Sequence, residues 1–248
     1  MPPLTDTALC LRRWEYSETS QTVRLFTREH GVLRGLAKGA RRERSRFSGG
    51  FEVLTRGQVV AYVKAGRDLA TVAEWAVTDL HRVFRHNLAA NRAGLLVVDL
   101  LSHFLTDHDP HPELYDQVVS ELERMATPAL VTPALLAATW AILTETGYRP
   151  ELDQDVVAGT PLPAADVYGF APRHGGLVAD PAHPGAWGVR HATVARLRAL
   201  AAGEPVEEAD DATERAARLL GMYAREIAGQ DLPGLPWCWP GDGLPSPG

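Results

Sequence analysis

The fold of the N-terminal part is decided by one stretch of sequence, TVRLFTREHGVLRGLA at residues 22–37. Residues 22–27 mix β-branched, aromatic and arginine positions in rough alternation, as half-buried strands do. Residues 28–31 supply a four-residue turn that ends in glycine, and residues 32–37 then resume the apolar pattern. The stretch therefore predicts a β-hairpin.

Short strand-like runs continue on both sides of this hairpin. The further strands are predicted at residues 7–14, 51–55, 58–63 and 69–77. The segment 38–50 (KGARRERSRFSGG) has no apolar period and is predicted to be an exposed loop. Short strands of this number with one basic loop are typical of a small β-barrel of the OB-fold type, which we place at residues 1–79.

After residue 80 the hydrophobic period becomes helical. Helices are predicted at 88–106, 113–126, 133–146, 191–202 and 212–229. We expect an α+β protein in which residues 80–146 and 189–230 form a helical bundle. Residues 147–188 are predicted to be a small irregular insertion, and residues 231–248 a Pro- and Gly-rich, partly disordered tail without regular elements.

The charge is distributed unevenly along the chain. The formal net charge is −6, yet residues 1–47 hold ten Lys and Arg against five Asp and Glu, a balance of +5. Residues 48–248 then carry a balance of −11. A basic module that precedes an acidic body suggests that the N-terminal part binds a polyanion.

The densest positive charge lies at residues 34–46, where six cations stand against the single acid Glu43. A groove for a phosphate backbone needs many such side chains, and arginine binds phosphate through two parallel hydrogen bonds. The alternative is a solvated charged loop. The aromatic candidates for stacking on bases are Trp14, Tyr16, Phe26 and Phe47, and we expect strand alternation to send some of them into the core. The candidate DNA-binding residues are Arg12, Arg13, Arg24, Arg34, Lys38, Arg41, Arg42, Arg44 and Arg46.

Other classes of protein receive little support. The chain has no Walker lysine loop, no G-x-G-x-x-G, no H-E-x-x-H and no G-x-S-x-G, so we expect no enzyme and assign no catalytic residue. The run DHDPH at 107–111 has metal-ligand residue types but poor spacing, and it favours an exposed turn. We expect no signal peptide, no membrane span and, with Cys10 and Cys238 alone, a reducing compartment.

Several motifs of the chain resemble those of the RecO recombination mediators. ALCLRR at 8–13, VRLFTREHG at 23–31 and LAKGARR at 36–42 are similar to the first strands and the basic loop of that family. GYRPELD at 147–153 and GGLV at 175–178 resemble its signatures at the entrance to, and halfway through, a small zinc module. The similarity extends over most of residues 7–230.

The resemblance implies an N-terminal OB-fold, a helical bundle and a zinc-binding insertion. It also implies a cytoplasmic, nucleoid-associated protein of bacterial DNA repair and recombination, which binds single-stranded and double-stranded DNA and anneals complementary strands. Such a protein helps to load RecA onto DNA covered by single-strand-binding protein. The implied partners are RecR and the C-terminal tail of single-strand-binding protein. For that tail we expect a hydrophobic groove in the helical body, with Arg92 and Arg124 as guesses for its border.

The sequence departs from the family at the zinc module. Members with zinc have two C-x-x-C pairs, and the corresponding positions here are Asp155, Ala158, Ala179 and Ala182. Alanine cannot ligate a metal and one aspartate cannot hold a tetrahedral structural zinc, so we predict no cofactor and no metal in the insertion. An alternative metal site, formed by Asp155 together with the histidines at 174, 183 and 191, is left open by the sequence. Without a metal, the module is either held by packing of residues such as Leu162, Tyr168, Phe170 and Trp187 or mobile.

A second function from a different class remains possible on the sequence alone. The acidic helical body could serve as a non-catalytic interaction scaffold, with a barrel that binds nucleic acid weakly and no annealing activity. A hydrolase with dispersed catalytic residues is a third alternative. The sequence does not determine the oligomeric state, the partner-binding surface or the preference between single-stranded and double-stranded DNA.

Overall fold

The computed structural model describes residues 2–41, 46–48, 50–63, 66 and 69–240. The chain divides into two compact units, Met1–Glu123 (unit 1) and Arg124–Gly248 (unit 2). Three helices that follow the barrel therefore belong to unit 1, whereas the sequence places a domain boundary after residue 79. Each unit has its own core, and each is described separately.

Unit 1 begins with a closed five-stranded barrel. β1 pairs with β2, β2 with β3, β6 with β5 and β5 with β1, all antiparallel, and a parallel pairing of β3 with β6 closes the ring. The short strand β4 adds to β6 at the edge. The strands are β1 (Leu4–Glu15), β2 (Gln21–Thr27), β3 (Gly31–Ala37), β4 (Phe47–Ser48), β5 (Arg56–Tyr62) and β6 (Ala70–Asp79).

The hairpin of β2 and β3 forms as predicted, with Thr27 opposite Gly31. Gly31 adopts φ +69°, and a Cβ at this position would lie 2.2 Å from the backbone oxygen of Asp109. Both the left-handed backbone and the close approach of another chain segment therefore require glycine here.

The prediction of a strand at residues 51–55 is wrong. Leu54 has φ +69°, a conformation that a strand cannot contain. Its N–H donates a hydrogen bond to the Cys10 oxygen at 2.9 Å, and the Cys10 N–H donates to the Thr55 oxygen at 2.9 Å. The apolar residues of this segment serve the core instead. Phe51 is buried in the barrel and stacks on Trp75, with ring centroids 5.1 Å apart.

Three helices complete unit 1: α1 (Val83–His86), α2 (Leu88–Phe104) and α3 (Pro112–Arg124). α2 starts at an N-cap, Asn87, whose side chain accepts a hydrogen bond from the Ala90 N–H. α3 contacts the β2–β3 hairpin, where Tyr115 packs edge-on against Phe26 at 5.3 Å between ring centroids. Burial raises the pKa of Tyr115 to about 12.

Unit 2 contains α4 (Val131–Glu145), α5 (His191–Ala201), α6 (Asp211–Ala228) and α7 (Leu235–Cys238). α4 and α5 both pack against α6. The segment Pro128–Glu145, with a mean hydropathy of 1.3 over 18 residues, is the one among the described residues long and apolar enough to cross a membrane. Since 67% of it is buried, its hydrophobicity is accounted for by the core of unit 2.

The expectation of a tail without regular elements is wrong for its first half. Leu235, in α7, is fully buried and lies against Gly221 of α6, where a Cβ would come within 2.6 Å of the leucine Cδ1 atom. Trp239 is also buried at this contact. Residues 241–248 lie outside the described part of the chain.

The insertion at 147–188 is more regular than predicted. It holds β7 (Val167–Ala171) and β8 (Gly176–Val178), and with β9 (Trp187–Arg190) they form a three-stranded antiparallel sheet in the order β8-β7-β9. Tyr168 and Phe170 of β7 are buried, and Trp187 stacks on Phe170 at 5.9 Å between ring centroids. These three of the four predicted packing residues are thus in or against the core, and Leu162 is half-buried.

A carboxylate joins the turn at residues 155–158 to the segment around Ala179. Oδ1 of Asp155 accepts hydrogen bonds from the N–H groups of Val157 at 2.9 Å and Ala158 at 2.8 Å. Oδ2 accepts one from the N–H of Ala179 at 2.8 Å. These bonds hold the pKa of Asp155 below its usual range. We call this arrangement the Asp155 clasp.

The clasp predicts a local loss of stability when the carboxylate is removed. D155A leaves three backbone N–H groups without their ionised acceptor and should lower the free energy of opening the insertion by about 2 kcal/mol. Hydrogen exchange at residues 155–182 measures this. D180A is the matched control, because the exposed Asp180 accepts a single bond within its own turn, from Ala182.

The same clasp predicts a pH dependence. Because the pKa is depressed in the folded protein, the stabilisation is present above the unfolded-state value near 4 and is lost as pH falls through the folded value. The difference in exchange between wild type and D155A should therefore shrink below about pH 4. A difference that stays constant into that range would contradict an ionised clasp.

Candidate nucleic-acid interface

Three of the arginines proposed from the sequence form a row across the barrel. Arg12 on β1 is directly opposite Arg24 on β2, which is opposite Arg34 on β3. Since directly opposed residues point to the same face of a sheet, the three side chains project to one side. Their environments nevertheless differ.

Arg24 caps the C-terminal end of α2. Its guanidinium donates to the backbone oxygens of Ser102 at 2.8 Å and Leu105 at 3.2 Å, and it pairs with Asp107 at 3.4 Å. The last carbonyls of a helix have no partner within the helix and carry partial negative charge, so a cation is favourable here. Burial lowers the pKa of Arg24, and the charge of Asp107 opposes that shift.

Arg12 also contacts α2. Its guanidinium pairs with the buried Asp99 at 3.1 Å. Arg12 and Arg24 are therefore occupied by contacts inside unit 1. Arg34 is exposed at the end of the row, and no ion pair of Arg34 is found among the described residues.

The other exposed candidates cluster where the β1–β2 turn meets the start of the basic loop. The N–H of Arg41 donates to the Thr19 oxygen at 3.2 Å, and the N–H of Gly39 donates to Ser20 Oγ at 3.4 Å. These bonds bring residues 13–20 and 38–41 together. We call the surface formed by these two segments the hairpin surface. Its exposed cations are Arg13, Lys38 and Arg41.

The structure separates the four candidate stacking aromatics into two pairs. Trp14 is 47% and Tyr16 65% exposed, and both lie on the hairpin surface. Phe26 and Phe47 are buried in unit 1 and so are not available for stacking on bases. Strand alternation directs them into the core. Tyr62, which is 39% exposed at the end of β5, was not singled out in the sequence, where only its aromatic type marks it.

Two basic-loop candidates form surface ion pairs. Arg41 pairs with Glu15 at 3.1 Å, and Arg46 pairs with Glu74 at 3.3 Å, each between exposed partners. Pairs of this kind contribute about 0–1 kcal/mol and exchange readily for another anion. Arg42 and Arg44 lie outside the described residues.

The residues of the insertion do not fit a structural zinc. Both oxygens of Asp155 already accept backbone hydrogen bonds, and the other three corresponding positions are alanines. His174 and His183 face each other edge-on at 5.9 Å between ring centroids. The DHDPH run is a turn, as predicted, with His108 at φ +65°.

Two family models together match nearly the whole chain. The model described as "Recombination protein O N terminal" matches residues 1–81, which contain the barrel. The model described as "Recombination protein O C terminal" matches residues 85–236. Their junction at 82–84 lies within a few residues of the predicted end of the barrel.

Curated relatives give the same result, two of them over about nine-tenths of this chain. A protein from Myxococcus xanthus named "DNA repair protein RecO" is 30% identical over 236 residues, which cover 92% of this chain and 93% of that protein. One of the same name from Laribacter hongkongensis is 31% identical, covering 91% and 89%. Another, from Salinibacter ruber, is 40% identical over 119 residues, covering 48% and 45%.

The row of arginines generates a prediction about stability. R24A removes the cap from α2 and leaves the Asp107 carboxylate unpaired, so it should lower the free energy of unfolding of unit 1 by about 3 kcal/mol. R34A, a matched control on the neighbouring strand, should change it by less than about 0.5 kcal/mol. Urea unfolding measures both, and equal effects would contradict the assignment of Arg24 to a structural role.

Proposed function

This chain belongs to the RecO family of DNA repair proteins, and we propose that it is a recombination mediator that binds single-stranded DNA at the hairpin surface. In this proposal the barrel captures DNA, complementary strands anneal on it, and the protein helps to load RecA onto DNA covered by single-strand-binding protein. It acts in the bacterial cytoplasm at the nucleoid. No covalent step is part of the mechanism.

The observation that carries the proposal is the proximity of exposed cations and exposed aromatics on the barrel. Arg13, Lys38 and Arg41 can neutralise phosphates, and each neutralised phosphate releases counterions. Trp14 and Tyr16 offer the flat faces on which unpaired bases stack. Arg34 and Arg46 are exposed and extend the positive charge along the chain on either side of Lys38 and Arg41.

The aromatic residues favour single strands over duplex as the bound form. Stacking requires an unpaired base, whereas a duplex presents mainly its phosphates. Binding of double-stranded DNA should therefore depend on the cations alone. This difference makes the roles of the two residue types separable by experiment.

Of the nine arginines and lysines proposed from the sequence, two have a different role in this proposal. Arg12 and Arg24 support the interface indirectly, because they fix α2 against the barrel strands. The direct contacts are assigned to Arg13, Arg34, Lys38, Arg41 and Arg46. Arg42 and Arg44 continue the same loop in the sequence and are proposed with them.

Unit 2 offers a place for a protein partner. An open pocket of about 850 Å³ is lined by Tyr148, Arg149, Arg173, His174 and Tyr223, among others. This mixture of aromatic and cationic side chains suits a peptide that is both acidic and apolar. We propose this pocket for the tail of single-strand-binding protein, with RecR as a further partner of the protein.

Arg92 and Arg124, which the sequence suggested for the border of the peptide site, are less suitable. Arg124 donates its guanidinium to the Val206 oxygen at 2.6 Å, and Arg92 is half-buried in α2. In the pocket, Arg173 pairs with Glu226 at 3.4 Å while remaining largely exposed. Arg149 lies over the Trp140 ring at 5.3 Å.

The interface is tested by fluorescence titration of labelled oligonucleotides at several salt concentrations. R13A/K38A should weaken binding to single strands and duplex alike and reduce the salt slope by about 2, roughly one per phosphate contact. The charge-matched control is R82A/R85A, which removes two exposed cations of unit 1 outside the hairpin surface. It should leave the affinity and the salt slope unchanged. W14A should weaken single-strand binding about tenfold and leave duplex binding nearly unchanged.

Affinity that does not depend on salt, or equal effects of the two double variants, would contradict the interface. The rate at which complementary labelled strands anneal then distinguishes a recombination mediator from a non-catalytic interaction scaffold. Wild type should accelerate annealing and R13A/K38A should not. If wild type binds DNA but does not accelerate annealing, the result would favour the interaction scaffold.

The pocket of unit 2 is tested with a fluorescent peptide that ends in the acidic tail of single-strand-binding protein. R149A/R173A should weaken binding of the peptide about tenfold or more, because charged hydrogen bonds to carboxylates are lost. R190A/R196A, two arginines of unit 2 outside the pocket lining, should not. Unchanged binding in R149A/R173A would exclude this pocket as the site.

A further inference from the structure

Three potential metal ligands converge in unit 1, outside the hairpin surface and the insertion. They are Asp79 at the end of β6, His81 just after it and Glu123 near the end of α3, and their ligand atoms lie within 4.8 Å of one another. Among the described residues this is the one such group. None of the three contributes to the proposed DNA interface or to the partner pocket.

The orientation of His81 distinguishes this group from an ordinary cluster of acids. Its side chain is only 4% exposed, and Nδ1 lies 2.7 Å from the Leu54 oxygen. A carbonyl only accepts, so Nδ1 carries the proton and donates. In the neutral ring, Nε2 then presents its lone pair, the arrangement found in metal-binding histidines whose other nitrogen is held by a backbone carbonyl.

Nε2 has no hydrogen-bond partner although it is buried. Asp79 Oδ2 lies 3.4 Å from Nε2 without forming a hydrogen bond. Oδ1 of the same carboxylate accepts a hydrogen bond from the backbone N–H of His81 at 2.7 Å. Two ligands at ~2.0–2.1 Å from a tetrahedral zinc are separated by ~3.4 Å. The separation of Nε2 and Oδ2 therefore matches two atoms that share one ion.

Arg56 is the cation that now faces these carboxylates. Its guanidinium pairs with Glu123 Oε1 at 3.0 Å and approaches Asp79 Oδ2 at 3.9 Å. It does not contact Nε2 within hydrogen-bonding distance among the described contacts. Two carboxylates against one guanidinium leave a net charge of −1 beside the imidazole.

We propose that Asp79, His81 and Glu123 bind one zinc ion, or another divalent transition-metal ion that accepts nitrogen and oxygen ligands, with water completing the coordination. Imidazole and carboxylates are ligands that zinc accepts, and no thiolate is required. The ion displaces Arg56 from the carboxylates. It joins the end of α3 to the segment that follows β6 and so stabilises unit 1.

The proposal is tested by calorimetric titration of the metal-stripped full-length protein with zinc chloride. Wild type should bind one equivalent with the affinity of a specific site, and E123Q should weaken this binding about tenfold or more. Glu123 is half exposed, so E123Q should fold normally. H86Q, which removes an exposed histidine five residues from His81, is the control and should bind as wild type does.

Two further variants identify the ligands and the competing cation. H81Q should abolish the site, and R56Q should bind zinc more tightly than wild type, because a like charge is removed. X-ray absorption of the zinc-loaded wild type should show nitrogen and oxygen at about 2.0–2.1 Å with no sulfur.

If H81Q fails to fold, E123Q and R56Q still decide the question. Absence of zinc binding in wild type, or equal binding in wild type, E123Q and R56Q, would overturn the proposal. Failure of this test leaves the DNA interface unaffected, since the two sites share no residue.

Discussion

The contact of Arg24 with the C-terminal end of α2 is the constraint on which the organisation of unit 1 depends. A β-strand supplies the cation, and a helix supplies the carbonyl oxygens that have no partner within the helix. Arg12 repeats the connection one strand away through Asp99. The helix that follows the barrel is thereby held by charge as well as by apolar packing, and it forms one compact unit with the barrel.

This use of arginine determines which part of the barrel is available to DNA. A basic stretch of sequence does not show which cationic side chains form structural contacts within the fold and which are exposed to solvent. In the structure, Arg13 and Lys38 belong to the second group, next to the exposed Trp14 and Tyr16. A surface of this composition suits phosphates and unpaired bases together, which agrees with the DNA repair family to which the chain belongs.

In unit 2, one carboxylate joins two chain segments that are distant in the sequence. The carboxylate of Asp155 connects the two turns through backbone N–H groups, and β7 of the three-stranded sheet supplies the buried Tyr168 and Phe170. An ionised acceptor that satisfies three donors does part of what a metal does, since it fixes two chain segments at one point. Its strength depends on the carboxylate remaining ionised.

The sequence alone determined the class of the fold, the β2–β3 hairpin and the five long helices, because hydrophobic period and turn residues are local properties. Motifs at 8–42, 147–153 and 175–178 determined the family. Only the tertiary structure decided that Phe51 plugs the barrel, that Arg24 caps a helix and that Asp155 bridges two turns. Each of these roles depends on a partner far away in the chain, and the periodicity of a single segment carries no information about that partner.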